Sequence, residues 1–109
     1  SYVREVVRQN NKSGAVTISE IEKKPCLKLD GGDGYVTYIF LEDGMLKELY
    51  AVAELEVSRQ DGQEIMPLKT FEMEYVNEGL MKIVCCTKDG CRETMLISSM
   101  QEKEENGAE

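Results

Sequence analysis

The side chains with chemistry to offer in this 109-residue sequence are four cysteines, Cys26, Cys85, Cys86 and Cys91, and some close carboxylates: Asp30 with Asp33, Glu54 with Glu56, and Glu72 with Glu74. Thiolates serve as nucleophiles and soft-metal ligands, and paired carboxylates hydrolyse glycosides or hold hard cations. Each of these uses needs partners. The sequence contains no histidine, which removes Cys-His and Ser-His nucleophile pairs, His-ligated zinc and the commonest acid–base group near neutral pH. The adjacent Cys85 and Cys86, and the spacing from Cys86 to Cys91, lack the paired C-x2-C pattern of zinc ribbons. These positions read as small buried or half-buried thiols. The alternative, a Cys86–Cys91 disulfide across a hairpin, requires a four-residue loop at "TKDGC".

Glu54 and Glu56 lie in "AELEVS", and Glu72 and Glu74 in "TFEMEYV". Both segments alternate polar with apolar residues, so each pair reads as the solvated face of a strand. Asp30 and Asp33 stand among glycines in "DGGDGY". A calcium loop would need more carboxylates and a bidentate Glu at its end, so a turn is the favoured reading and a cation site the alternative. No dinucleotide or Walker spacing is present. No residue is therefore assigned a catalytic, cofactor-binding or metal-ligating role, no cofactor is assigned, and the chain reads as non-enzymatic.

The elements that would carry these side chains are mostly strands. Tyr2, Val3, Val6 and Val7 recur at helical spacing up to Gln9, and "NNKSG" then ends the helix. From there the period is two. Strands are expected over "AVTISEI" (15–21), "CLKLD" (26–30), "YVTYIFL" (35–41), "MLKELYA" (45–51), "AELEVS" (53–58), "TFEMEYV" (70–76), "LMKIVCC" (80–86) and "CRETMLISS" (91–99). The third is apolar nearly throughout, which predicts burial on both faces and a central place. Pro67 in "EIMPL" marks an edge or a bend.

Asp-Gly at 43–44, 61–62 and 89–90 separates these runs. The spacing predicts three-residue hairpins, a type I turn followed by a glycine bulge. For the last hairpin this places Cys86 near Arg92, Ile83 opposite Met95 and Met81 opposite Ile97. The expected core is Val6, Ile18, Leu27, Leu29, Val36, Tyr38, Phe40, Leu46, Leu55, Val57, Phe71, Met73, Ile83, Met95 and Ile97, with Tyr75 also facing inward.

The fold class is thus α+β, mainly β: a short N-terminal helix remnant (1–10), then an antiparallel meander of roughly seven or eight strands over 15–100. Residues 1–100 form one domain, and 101–109 an acidic disordered tail. The formal charge of −8 comes without any cluster of Lys and Arg, which argues against nucleic acid and anionic lipid as partners. No stretch of about 18 apolar residues is present. The sequence starts at Ser1 inside a helical pattern and without an initiator Met, so it reads as an excised piece.

The segments "YVREVVRQNNKSGAVTI", "GYVTYIFLEDGMLKELY", "DGQEIMPLKTFEMEY" and "GLMKIVCCTKDGCRETMLISS" resemble an uncharacterised family of short membrane-anchored proteins of Gram-positive anaerobes. That family is in turn similar to type IV pilin-like proteins, the minor pilins and pseudopilins. The resemblance implies a pilin-like head domain, extracytoplasmic and anchored to the cell membrane by a helix upstream of Ser1. It implies a structural or assembly role with protein partners, other pilin-like subunits among them, and it carries no catalytic residue. The competing reading is a cell-surface binding module that takes its ligand at an edge strand, for which Pro67 and an exposed "MPLK" bend are the motivation.

Overall fold

Period-two patterning punctuated by Asp-Gly does build an antiparallel β protein, but in two sheets where the sequence pointed to a single meander. The computed structural model describes residues 2–10 and 16–98; the Val6 side chain and the acidic segment 101–109 lie outside the described residues. Helix α1 (Tyr2–Asn10) leads into β1 (Val16–Ile21), β2 (Lys24–Asp30), β3 (Tyr35–Glu42), β4 (Met45–Val52) and β5 (Gln63–Pro67). Then follow β6 (Thr70–Asn77), β7 (Leu80–Cys86) and β8 (Arg92–Ser98). The first five strands form one sheet in the order β1-β2-β3-β4-β5, and the last three a second in the order β6-β7-β8. Every pairing is antiparallel.

The β3 strand lies at the centre of its sheet, with five consecutive buried residues, Val36 to Phe40. Its two faces go to different cores. Ile39, with Leu27, Leu29 and Leu46 of its neighbours, packs with Phe71, Met81, Ile83, Met95 and Ile97 of the second sheet and with Val3 of α1. Val36, Tyr38 and Phe40 form a second cluster with Ile21, Cys26 and Leu49 on the opposite face. Because successive side chains alternate between faces, a strand apolar at both parities can serve two cores at once.

The last hairpin has the expected register: Ile83 opposes Met95, Met81 opposes Ile97 and Cys86 opposes Arg92. Its turn is the expected three-residue bulge, with Gly90 at φ 97°. The 43–44 turn is tighter than expected. Glu42 pairs with Met45, leaving only Asp43 and Gly44 between them at φ 53° and 75°, a two-residue type I′ turn.

Several expectations need correction. The segment 53–58 is not a strand: the chain turns away after Val52, crosses the second face of the sheet and ends in a 3-10 turn at Arg59–Asp61. Leu55, expected inside, is 59% exposed, and Val57 is only half-buried. Accordingly Gly62 does not close a hairpin; its φ is −70°, and it is small because an added Cβ would lie 2.7 Å from Phe40 Cζ. Tyr75 does not point inward either. It is 55% exposed, and its hydroxyl accepts a hydrogen bond from the backbone N–H of Ile18 on edge strand β1 (2.9 Å). A polar tip on an aromatic body suits that place, since edge amides need partners. Pro67 ends edge strand β5, as an edge proline should; it and Lys69 are exposed at the bend that follows, while Leu68 between them is buried and Met66 half-buried.

Candidate functional site

The inner face of the second sheet runs past the end of the main core and under the first turn of α1. Cys85 opposes Glu93 there, and one step further Thr87 and Cys91 are joined by a 2.8 Å backbone hydrogen bond, so all four side chains share a face. Tyr2 and Val3 of α1 and Met66 and Leu68 around the end of β5 supply the other walls. Together they enclose a half-open cleft of about 390 Å³. Its turn is tightly specified: Asp89 Oδ1 accepts the Thr87 hydroxyl, and the Cys91 N–H donates to Thr87 Oγ1 (3.0 Å). The Thr87 hydroxyl, and after it the Cys91 N–H at 3.4 Å from Asp89 Oδ1, hold the Asp89 carboxyl below its ordinary range.

Polar contacts fix the cleft's rim. Arg4 meets Glu93 through two nitrogens, Nη2 at 2.9 Å and Nε at 3.0 Å. The Tyr2 hydroxyl donates to Glu48 Oε1 on β4, and burial together with that carboxylate pushes the phenol's pKa upward. Cys85 is also pushed up, by burial first and then by Glu93 and Cys86, against the opposing charge of Arg4. A nucleophilic thiol needs the reverse environment. Val3, Met66 and Leu68 give the cleft an apolar wall opposite Cys85.

The cysteines are all free thiols: Cys26 and Cys85 buried, Cys86 half-buried, Cys91 exposed. The reading as unbridged thiols holds, and register explains why. Cys86 pairs with Arg92 and so points to the face opposite Cys91. Cys85 and Cys91 share the cleft, while Cys26 lies away from it in the second cluster. Asp30 and Asp33 shape their loop: their Oδ1 atoms accept the N–H groups of Gly32 (2.9 Å) and Tyr35 (3.1 Å). Among the described residues no group of three or more Cys, Asp or Glu is placed to hold a metal ion. Glu72 and Glu74 are exposed on β6, across from Val84 and Lys82, and Glu54 and Glu56 are exposed in the 53–58 crossing.

Two features escaped the sequence reading. Tyr35 and Tyr50 stack in parallel at the far end of β3 and β4, 5.3 Å between centroids, with Tyr50 66% exposed. The other is Arg59, only 4% exposed. Its guanidinium lies over the Phe40 ring at 4.5 Å. It donates to Glu42 Oε1 and to the carbonyls of Leu41 (2.9 Å), Lys24 (3.2 Å) and Ile21 (3.3 Å). The ladder between β2 and β3 spans only Leu27 to Asp30 of β2. Pro25, lacking an N–H, cannot extend it, and the Arg59 guanidinium sits at this end of the sheet, donating to carbonyls of β1, β2 and β3 alike. Pro25 was the available signal, and it marked the ladder's end without naming Arg59.

Residues 1–88 match the family described as "Domain of unknown function (DUF4860)". The chain belongs to this DUF4860 family. The matched region of the DUF4860 domain takes in the helix, the five-stranded sheet and β6 and β7, and ends in the turn before β8. The cleft walls from α1, β5 and Cys85 lie inside it, whereas Cys91 and Glu93 lie beyond. No curated protein and no solved structure matches the chain.

Proposed function

We propose that this DUF4860 domain is a non-enzymatic structural or assembly domain, extracytoplasmic, and anchored in the full-length protein by a membrane helix upstream of Ser1. In this reading it works as a minor pilin or pseudopilin does, a globular head carried on a helix and contacting other subunits. One observation carries the reading: α1 docks its first turn on the face shared by both sheets, with Val3 in the core and Tyr2 hydrogen-bonded to Glu48. A helix seated on an antiparallel sheet is the layout of pilin-like heads, and this seating supports the reading. The test is membrane fractionation of the full-length protein with protease added to intact cells. A membrane-bound protein whose DUF4860 domain is digested from outside supports the proposal; a cytoplasmic protein contradicts it.

The cleft favours a second reading, a cell-surface binding module. It lies beside β5, an edge strand, and an extended peptide added to that edge would bring apolar side chains to Met66 and Leu68. Crosslinking from a photoreactive residue at position 66 separates the readings. Capture of subunits sharing the helix-and-sheet layout supports assembly, and capture of an unrelated envelope protein supports the module.

A further inference from the structure

Between Val52 and Gln63 the chain crosses the second face of the five-stranded sheet without joining a ladder. Its apolar hold is slight, since Ala53 and Val57 are half-buried and Leu55 is exposed. Its polar hold is concentrated at one end. There the Arg59 guanidinium donates to carbonyls of β1, β2 and β3, and the Glu22 carboxylate accepts the Arg59 N–H (3.0 Å) and the Ser58 hydroxyl (3.2 Å). Beneath the crossing lie Val36, Phe40 and Cys26, all fully buried. Segments with few buried apolar contacts open at lower free energy than the core they cover. The turn that presents Glu22 adds to the imbalance. Glu22 and Lys23 both have positive φ, 55° and 69°, where side-chain-bearing residues are disfavoured, and such conformations persist only while their surroundings hold them.

We infer that residues 53–62 form a strap that lifts from the sheet as a unit, pivoting at its two ends, while the core between the sheets stays closed. Lifting bares Phe40 and the Cys26 thiol. With the strap down, burial pushes the Cys26 pKa up to about 11, against the opposing charge of Arg59, and the thiol is both protonated and shielded. With the strap up it becomes an ordinary solvent-facing thiol. The second face of the sheet is then conditionally accessible, and Cys26 reports on it.

Alkylation of the unmutated protein with iodoacetamide, in which the thiolate displaces iodide to form a thioether, measures the opening when read peptide by peptide. Deuterium exchange of the β3 amides gives global unfolding under the same conditions. Urea slopes scale with the surface exposed. Cys26 labelling is therefore expected to rise with urea at less than about half the global slope, and to run at least about tenfold faster than global unfolding allows. Arg59→Met should raise the Cys26 rate a further factor of about thirty or more, as losing the Arg59 hydrogen bonds implies, and leave the urea slope of the β3 amides unchanged. Labelling that shares the global slope overturns the strap, as does labelling as fast as that of the exposed Cys91. The measurement on the unmutated protein decides the matter even where Arg59→Met fails to fold.

Discussion

The two faces of the five-stranded sheet are covered by different means. On one, Leu27, Leu29, Ile39 and Leu46 meet a second sheet whose Phe71, Ile83, Met95 and Ile97 interleave with them, and α1 closes the end with Val3. On the other, Val36, Tyr38 and Phe40 are covered by a crossing that brings only Ala53 and Val57 into contact, with Arg59 as its one deeply buried side chain. The first face is held by area removed from water. The second is held by a cation whose hydrogen bonds go to carbonyls near the ends of three adjacent strands. Apolar burial is distributed over many residues, whereas the polar lock rests on one.

Four substitutions sharpen that contrast, from the largest effect down. Leu27→Ala removes a fully buried side chain from the sheet-on-sheet core and should cost about 2–5 kcal/mol in urea unfolding, with no change in which residues form the strands. Gly62→Ala forces a methyl to within 2.7 Å of Phe40 Cζ and 3.1 Å of Lys47 Cβ. Overpacking beneath the lock should cost about 1–3 kcal/mol, measurable as a fall in Tm.

Glu42 tests the lock electrostatically. Arg59's hydrogen bond, aided by its charge and that of Lys24, holds the Glu42 carboxyl below its ordinary value. A group depressed in the folded state contributes stability above its unfolded pKa and loses it as the pH falls through the folded value. The folded protein should therefore lose stability on acidification below about pH 4, and Glu42→Gln should flatten that acid limb while lowering the plateau. Smallest of the four, Gly90→Ala places a side chain at φ 97° in a turn with open space around it. It should cost about 1 kcal/mol and leave the cleft's Thr87–Cys91 pairing in place, checked by exchange of the Thr87 amide, which donates to the Cys91 carbonyl.

The contrast also explains what could be seen in the sequence. The register of the last hairpin and the inward residues on its face were legible because alternation and Asp-Gly punctuation specify register directly, and a one-step slip would have turned Ile83 and Met95 outward; the division into two packed sheets was not. The second face was legible from within, in Val36, Tyr38 and Phe40, but its cover was not. "AELEVS" alternates as a strand does, yet the Asp-Gly after it does not turn back, and nothing in "SRQDG" distinguishes a buried arginine from a solvated one. The Glu22–Lys23 turn was invisible for a related reason, since neither residue favours positive φ and only tertiary contacts hold them there. The cleft was half legible. Its thiols are unbridged, as read, but Cys91 is exposed where a buried or half-buried thiol was expected, and the walls contributed by α1 and β5 come from long-range packing that no local pattern records.

The most direct test of the central claim is urea unfolding of Arg59→Met, which keeps a long, apolar-compatible side chain while removing every donor. If hydrogen bonds to the Leu41, Lys24 and Ile21 carbonyls are what hold the second face, stability falls by about 2–4 kcal/mol. A variant within about 0.5 kcal/mol of the parent, or above it, would mean that covering area alone suffices there, and the two faces would no longer differ in kind.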